Sequence, residues 1–145
     1  MHIPWYVAAL GAAITWGIYY PLVDMALKRI SLYSVILLSM IPVLLVMPLF
    51  MKTLSEDVET VKTLPAPEQW IIVSLGLIGL FGEVMVYLAI SNKNATLASL
   101  IEMTYPLFVV FFAYLFYRQV DVTPSVFLGG LMILLGAGLV IYNNQ

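Results

Sequence analysis

Two carboxylates lie inside long apolar stretches, Glu83 in "GLFGEVMVYLA" and Glu102 in "ASLIEMTYPLF". An ionisable group at membrane depth is costly and turns toward a bundle interior or an aqueous cavity, so each is a candidate proton, ion or solute site. Both flank a tight turn around Asn92 to Asn94, each about nine or ten residues from its centre. At 1.5 Å per residue this places them at one depth, roughly 10 Å inside one face of the membrane. Two inward-facing carboxylates in a low-dielectric cleft disfavour simultaneous ionisation, which suits proton exchange or cation binding. Hydrogen bonding to a neighbouring helix or to Lys93, with no transport role, would explain the same residues. Aromatic residues accompany the acids. Trp16 and Tyr20 are four apart, Tyr87 follows Glu83 by four, and Tyr105 follows Glu102 by three, so each pair can share a helix face. Aromatic walls around carboxylates would suit an organic cation or the ammonium group of an amino acid.

Asp24 is a further acid and a possible pathway residue, although Lys28 at i+4 makes a surface ion pair its simplest explanation. Pro106 follows Glu102 by four and cannot donate to its carbonyl, and it disfavours helical geometry at Tyr105; Pro21 is a second expected bend. Acid and weakened helix thus fall within one turn.

No catalytic chemistry emerges. The chain has no cysteine and a single histidine, His2, which excludes thiol chemistry, disulfides and His-based metal clusters. It contains no nucleophile elbow, metalloprotease motif or phosphate-binding loop. The expectation is a protein that is not an enzyme and uses no cofactor or metal. A net charge of −2 without a basic block offers nothing to nucleic acid.

The elements that carry these residues follow from composition. At 63% hydrophobic and 10% charged, the chain is an integral membrane protein. Crossing about 30 Å of hydrocarbon takes about 20 apolar residues, and the span must be helical to satisfy its own backbone. Five segments qualify: residues 4–27, 32–51, 67–90, 95–117 and 122–142. Pro42 and Pro48 add possible kinks to the second. Trp5, Tyr6, Trp70, Tyr117 and Tyr142 near span ends read as interfacial anchors. The polar segment 52–66 is either a solvated loop or a short interfacial helix. In the second case Thr53 and Glu56 form a capping box and Leu54, Val58, Val61 and Leu64 an apolar stripe. The last span carries Gly129, Gly130, Gly136 and Gly138, small residues that permit close helix approach and form a candidate dimer contact.

If the spans alternate, Lys28, Arg29 and Lys93 lie on one side of the membrane and Lys52, Lys62 and Arg118 on the other. An even split gives the positive-inside rule nothing to act on. Chance balance in a short chain is one explanation. Dual topology, with copies inserted both ways and paired antiparallel, is the other, and an odd number of spans then makes the pair equivalent to an inverted repeat.

Three strings carry a resemblance: "AAITWGIYYPLVDMALKRIS" in the first span, "YLAISNKNATLASLIEMTYPLFVVFFAYLFY" across the third-to-fourth hairpin, and "GGLMILLGAGLVIY" in the last. In their order and five-span spacing they resemble one half of an EamA-like transporter of the drug/metabolite transporter superfamily. The resemblance implies an all-α, five-helix inverted-repeat half forming a single domain over residues 1–145. It implies a multi-pass protein of the cell (plasma or inner) membrane, with lipid, a small solute and a second copy as partners. Relatives commonly close the fourth span with Gly-Glu, where this chain has Arg118-Gln119, and carry a basic residue after the first-span Trp-Gly, where it has Asp24. The expected function is a transporter subunit that moves a metabolite or drug-like solute by alternating access as an antiparallel homodimer, biased by proton or solute binding at Glu102, alone or together with Glu83. The alternatives are a non-transporting accessory subunit and half of a heteromeric pair.

Overall fold

A computed structural model describes residues 3–118 and 123–144. Val122, the expected start of the fifth span, and the side chain of Tyr117 lie outside the described residues. Helix α1 is Trp5–Leu27, and α2 is Leu32–Val46, which passes through a 3-10 turn, Met47–Phe50, into α3, Met51–Thr63. Helix α4 is Ala66–Asn92, the fourth span consists of α5, Ala95–Glu102, and α6, Tyr105–Tyr117, and α7 is Pro124–Asn143. Five of the resulting rods are long and apolar enough to cross a membrane.

Local chemistry sets the boundaries. The Ser31 hydroxyl accepts from Ser34 N–H (3.3 Å), the Asn94 amide oxygen from Leu97 N–H (2.8 Å) and the Thr123 hydroxyl from Val126 N–H (3.4 Å), starting α2, α5 and α7. Proline in the first turn, where a missing N–H costs nothing, opens α4 and α7. Helix α6 ends at Arg118, which adopts the left-handed conformation (φ 53°) while its N–H bonds the Tyr114 carbonyl at 3.0 Å.

The segment 52–66 is mostly helical. The Thr53–Glu56 capping box does not form, because the 3-10 turn runs straight into α3 and Phe50 takes the cap position with no side-chain bond. Thr53 therefore already lies within the first helical turn. Leu32–Thr63 is 32 residues of helix, about 48 Å at 1.5 Å per residue, so α3 reaches beyond the hydrocarbon that α2 crosses. Its charged side chains pair along the helix, Lys52 with Glu56 at 4.0 Å and Lys62 with Glu59 at 2.7 Å.

The buried core is concentrated at one end of the bundle. Val23 of α1, Val35 and Ile36 of α2, Tyr87 and Ile90 of α4, and Ala95 and Ala98 of α5 form one cluster. Helix α1 packs on α5, α4 and α2, and α7 packs on α5. Elsewhere most apolar side chains face outward, as helices solvated by lipid do, with Ala137 of α7 a buried exception. Near α6 the final helix is tight: a Cβ on Gly130 would stand 2.6 Å from Leu107 Cδ2. Gly130 thus makes room within the chain, whereas Gly129, Gly136 and Gly138 have nothing within 4 Å of a Cβ position.

Candidate functional site

Three aromatic residues of α1 organise the acids. Trp16 meets Tyr19 edge-on, with ring centroids 5.3 Å apart, and lies 5.5 Å from Tyr20, contacts that follow from i+3 and i+4 spacing on one helix. Tyr20 donates its hydroxyl to Glu102 Oε2 at 2.6 Å, joining α1 to the last residue of α5. Tyr19 shares a hydrogen bond with the Tyr87 hydroxyl, and Tyr87 donates to Glu83 Oε1 at 2.6 Å. Ser39 of α2 lies 3.2 Å from the same Glu83 oxygen and 2.8 Å from the Ile36 carbonyl.

Glu83 and Glu102 are therefore tied to consecutive residues of α1. Consecutive residues differ by about 1.5 Å along a helix axis, so the two acids connect to neighbouring positions of the first span, Glu102 directly through Tyr20 and Glu83 through Tyr87 to Tyr19. Glu83, Glu102, Tyr19 and Tyr20 are half-buried, and Tyr87 is 1% exposed. All six Lys and Arg residues lie in α3 or at span ends. Among the described residues neither Glu83 nor Glu102 has an ion-pair partner. Asp24 does: Lys28 stands 3.0 Å away, and the other carboxylate oxygen accepts from the Ala95 N–H at 3.3 Å. Asp24 thereby fastens α1 to the start of α5 near the carboxylate site.

The fourth span breaks immediately after Glu102. Met103 and Thr104 turn out of α5, their N–H groups bonding Ser99 and Ile101 carbonyls at 3.0 Å each, and α6 restarts with Pro106 in its first turn. Pro106 has no N–H for the Glu102 carbonyl. Tyr105 stands past the break, 60% exposed and without a side-chain hydrogen bond among the described residues. Pro21 lies inside α1, directly after Tyr20.

Two apolar grooves mark the chain, one lined by Leu100, Met103, Ile133, Gly136, Ala137 and Val140 between α5 and α7, the other by Pro42, Val43, Val46, Met47, Phe50 and Leu54. Neither contains Glu83 or Glu102, so the carboxylates lie on a face that these grooves do not enclose. Among the described residues no group of three or more His, Cys, Asp or Glu could hold a metal.

The chain matches a known family along nearly its whole length, with residues 3–142 fitting the EamA-like transporter family. The chain belongs to the EamA-like transporter family. It is accordingly a multi-pass membrane protein of the drug/metabolite transporter type, and its five long helices correspond to one half of the EamA fold. No curated protein and no solved structure matches it. Within this EamA half, sequence spacing pointed to Tyr87 beside Glu83 and to Trp16 beside Tyr20. It missed Tyr19 and Ser39. The i+3 step from Trp16 was a signal for Tyr19; nothing in the spacing marked Ser39.

Proposed function

We propose that this EamA-like chain is the repeating half of a secondary transporter that assembles as an antiparallel homodimer in the cell membrane. In this reading it moves a small metabolite or drug-like solute by alternating access, with Glu102 and Glu83 binding the solute or a proton. The observation that carries the reading is the connection of both carboxylates to adjacent tyrosines of one helix, Glu102 directly and Glu83 through Tyr87, with no cation among the described residues beside either acid. A group that must be neutralised by something arriving from outside is suited to exchange. The break after Glu102 supports movement there, since a helix interrupted at the binding residue can bend without breaking further backbone bonds.

The homodimer is supported by the half-buried state of the acids and by the open positions of Gly129, Gly136 and Gly138 on α7. A second, inverted copy would close the site from the other side, the arrangement that places transporter sites at a repeat interface. Trp16 and Tyr20 then form aromatic walls around a cationic group, the buried Tyr87 holds Glu83 behind them, and Tyr105 and Asp24 border the route.

Purified protein in liposomes loaded with candidate amines and amino acids tests this. Solute flux should respond to an imposed pH gradient, and Glu102→Gln should remove that response. Flux that persists unchanged in Glu102→Gln overturns the role assigned to this acid, and a wild-type protein that moves no solute favours an accessory subunit.

A further inference from the structure

We propose that Tyr19 and Tyr87 form a proton wire that loads Glu83, with Tyr19 as its port. The proposal rests on the reading that Glu83 belongs to the transport site and adds how its proton arrives. Donor counting sets the direction. A tyrosine hydroxyl has one proton to give. Tyr87 spends its proton on Glu83 Oε1 at 2.6 Å, so the hydrogen bond between the two tyrosine hydroxyls has Tyr19 as donor and Tyr87 as acceptor. Tyr87 is 1% exposed and reaches nothing outside the bundle directly. Tyr19 is half-buried, and its ring meets Trp16, which is 53% exposed. The chain Tyr19, Tyr87, Glu83 therefore runs from a half-buried residue of α1, through a buried hydroxyl, to a carboxylate on α4.

Transfer along it balances without any other reactant. A proton from water or a solute ammonium joins the Tyr19 oxygen, the Tyr19 hydroxyl proton passes to the Tyr87 oxygen, and the Tyr87 proton passes to Glu83 Oε1. Glu83 becomes neutral, both tyrosines stay neutral, and each hydrogen bond reverses its direction. Ser39 offers no comparable port, because its hydroxyl has a single proton to give and its oxygen stands closer to the Ile36 carbonyl, 2.8 Å, than to Glu83, 3.2 Å. The titratable groups on elements packed against α4 are Tyr6, Tyr19, Tyr20 and Asp24 of α1, Tyr33 of α2 and Glu102 of α5, and among the described residues neither Tyr6 nor Tyr33 makes a side-chain hydrogen bond. Asp24 is engaged by Lys28 and Tyr20 by Glu102. Tyr19 is thus the titratable group whose hydrogen bond leads to Glu83.

Infrared difference spectroscopy after a rapid pH drop, on detergent-purified full-length protein, tests the wire without needing a solute. The band of a protonated carboxyl assigned to Glu83 is the one lost in Glu83→Gln. Tyr19→Phe should slow its appearance by about tenfold or more, as loss of a positioned proton donor does, while Tyr33→Phe, at an exposed residue of α2 outside the site, leaves its rate unchanged. Tyr87→Phe keeps the buried ring and cuts the wire one step later, so it must show the same slowing; it also serves if Tyr19→Phe fails to fold. A merely structural role for Tyr19 would alter the amount of folded protein without changing the rate per folded molecule. Wild-type rates in either phenylalanine variant, or a Glu83 that never protonates, overturn the wire. An intact wire in a protein that carries no pH-driven flux would instead sink the transporter reading and leave this one standing.

Discussion

At the scale of single residues, the difference between Asp24 and the two glutamates is one of partners. Asp24 has a lysine and a backbone N–H, whereas Glu102 has one tyrosine hydroxyl. Removing that hydroxyl with Tyr20→Phe leaves the ring in place and takes away a hydrogen bond of the kind worth about 1.5–3 kcal/mol at a charged acceptor. If the bond positions Glu102 for the solute, initial uptake rates in liposomes should fall roughly 10- to 100-fold, by the rule that each 1.4 kcal/mol is a factor of ten. Asp24 predicts a different readout. Asp24→Ala should speed hydrogen exchange at the Ala95 amide while leaving Leu97, capped by Asn94 at 2.8 Å, protected. Equal exchange at both amides would mean that Asp24 holds nothing in place. The Tyr20–Glu102 contact joins residues 82 positions apart, and no periodicity could have revealed it. Tyr87 beside Glu83 was legible because a single helical turn brings them together.

At the scale of elements, the ends of helices were legible where side chains act locally and less so where neighbours decide. Ser31, Asn94 and Thr123 are cap residues by type and by geometry. The capping-box spacing of Thr53 and Glu56 misled, because the preceding 3-10 turn had already nucleated α3 and left no free N-terminus to cap. Proline at 106 marked a weak point in the fourth span, yet the turn itself falls on Met103 and Thr104, just before the residue whose backbone is restricted. Gly130 was expected at a contact between copies, and its close neighbour is Leu107 of the same chain. Arg118 yields the sharpest prediction. Its left-handed conformation (φ 53°) costs a side-chain-bearing residue roughly 1–2 kcal/mol, and glycine adopts it without that penalty. Arg118→Gly should therefore raise the thermal unfolding midpoint in detergent, with a gain of about 1 kcal/mol, somewhat less than the strain removed because glycine is freer when unfolded. A lowered midpoint would show that the arginine side chain contributes more than its backbone costs.

At the scale of the whole molecule, alternating spans would divide the six basic residues equally between the two sides, Lys28, Arg29 and Lys93 against Lys52, Lys62 and Arg118. Lys and Arg near span ends orient membrane proteins, and charges in short loops count most. A balanced chain is therefore one that a small change should tip. Replacing Ser55 and Thr60 on α3 by lysine adds two charges to one side and leaves every span untouched. The sequence has no cysteine, so a single introduced cysteine at Asn144 reports which side the end of α7 faces. Antiparallel pairing predicts that impermeant thiol reagents reach this cysteine from both sides in the parent chain and from one side in the lysine variant. The lysine variant alone should lose solute flux, because every copy now points the same way. Coexpression with a partner biased oppositely, by lysines at Ile30 and Asn92, should restore it, since each inverted half then finds its complement. Labelling of the parent chain from one side only would remove the antiparallel homodimer and leave Glu83 and Glu102 to be closed by a partner of different sequence.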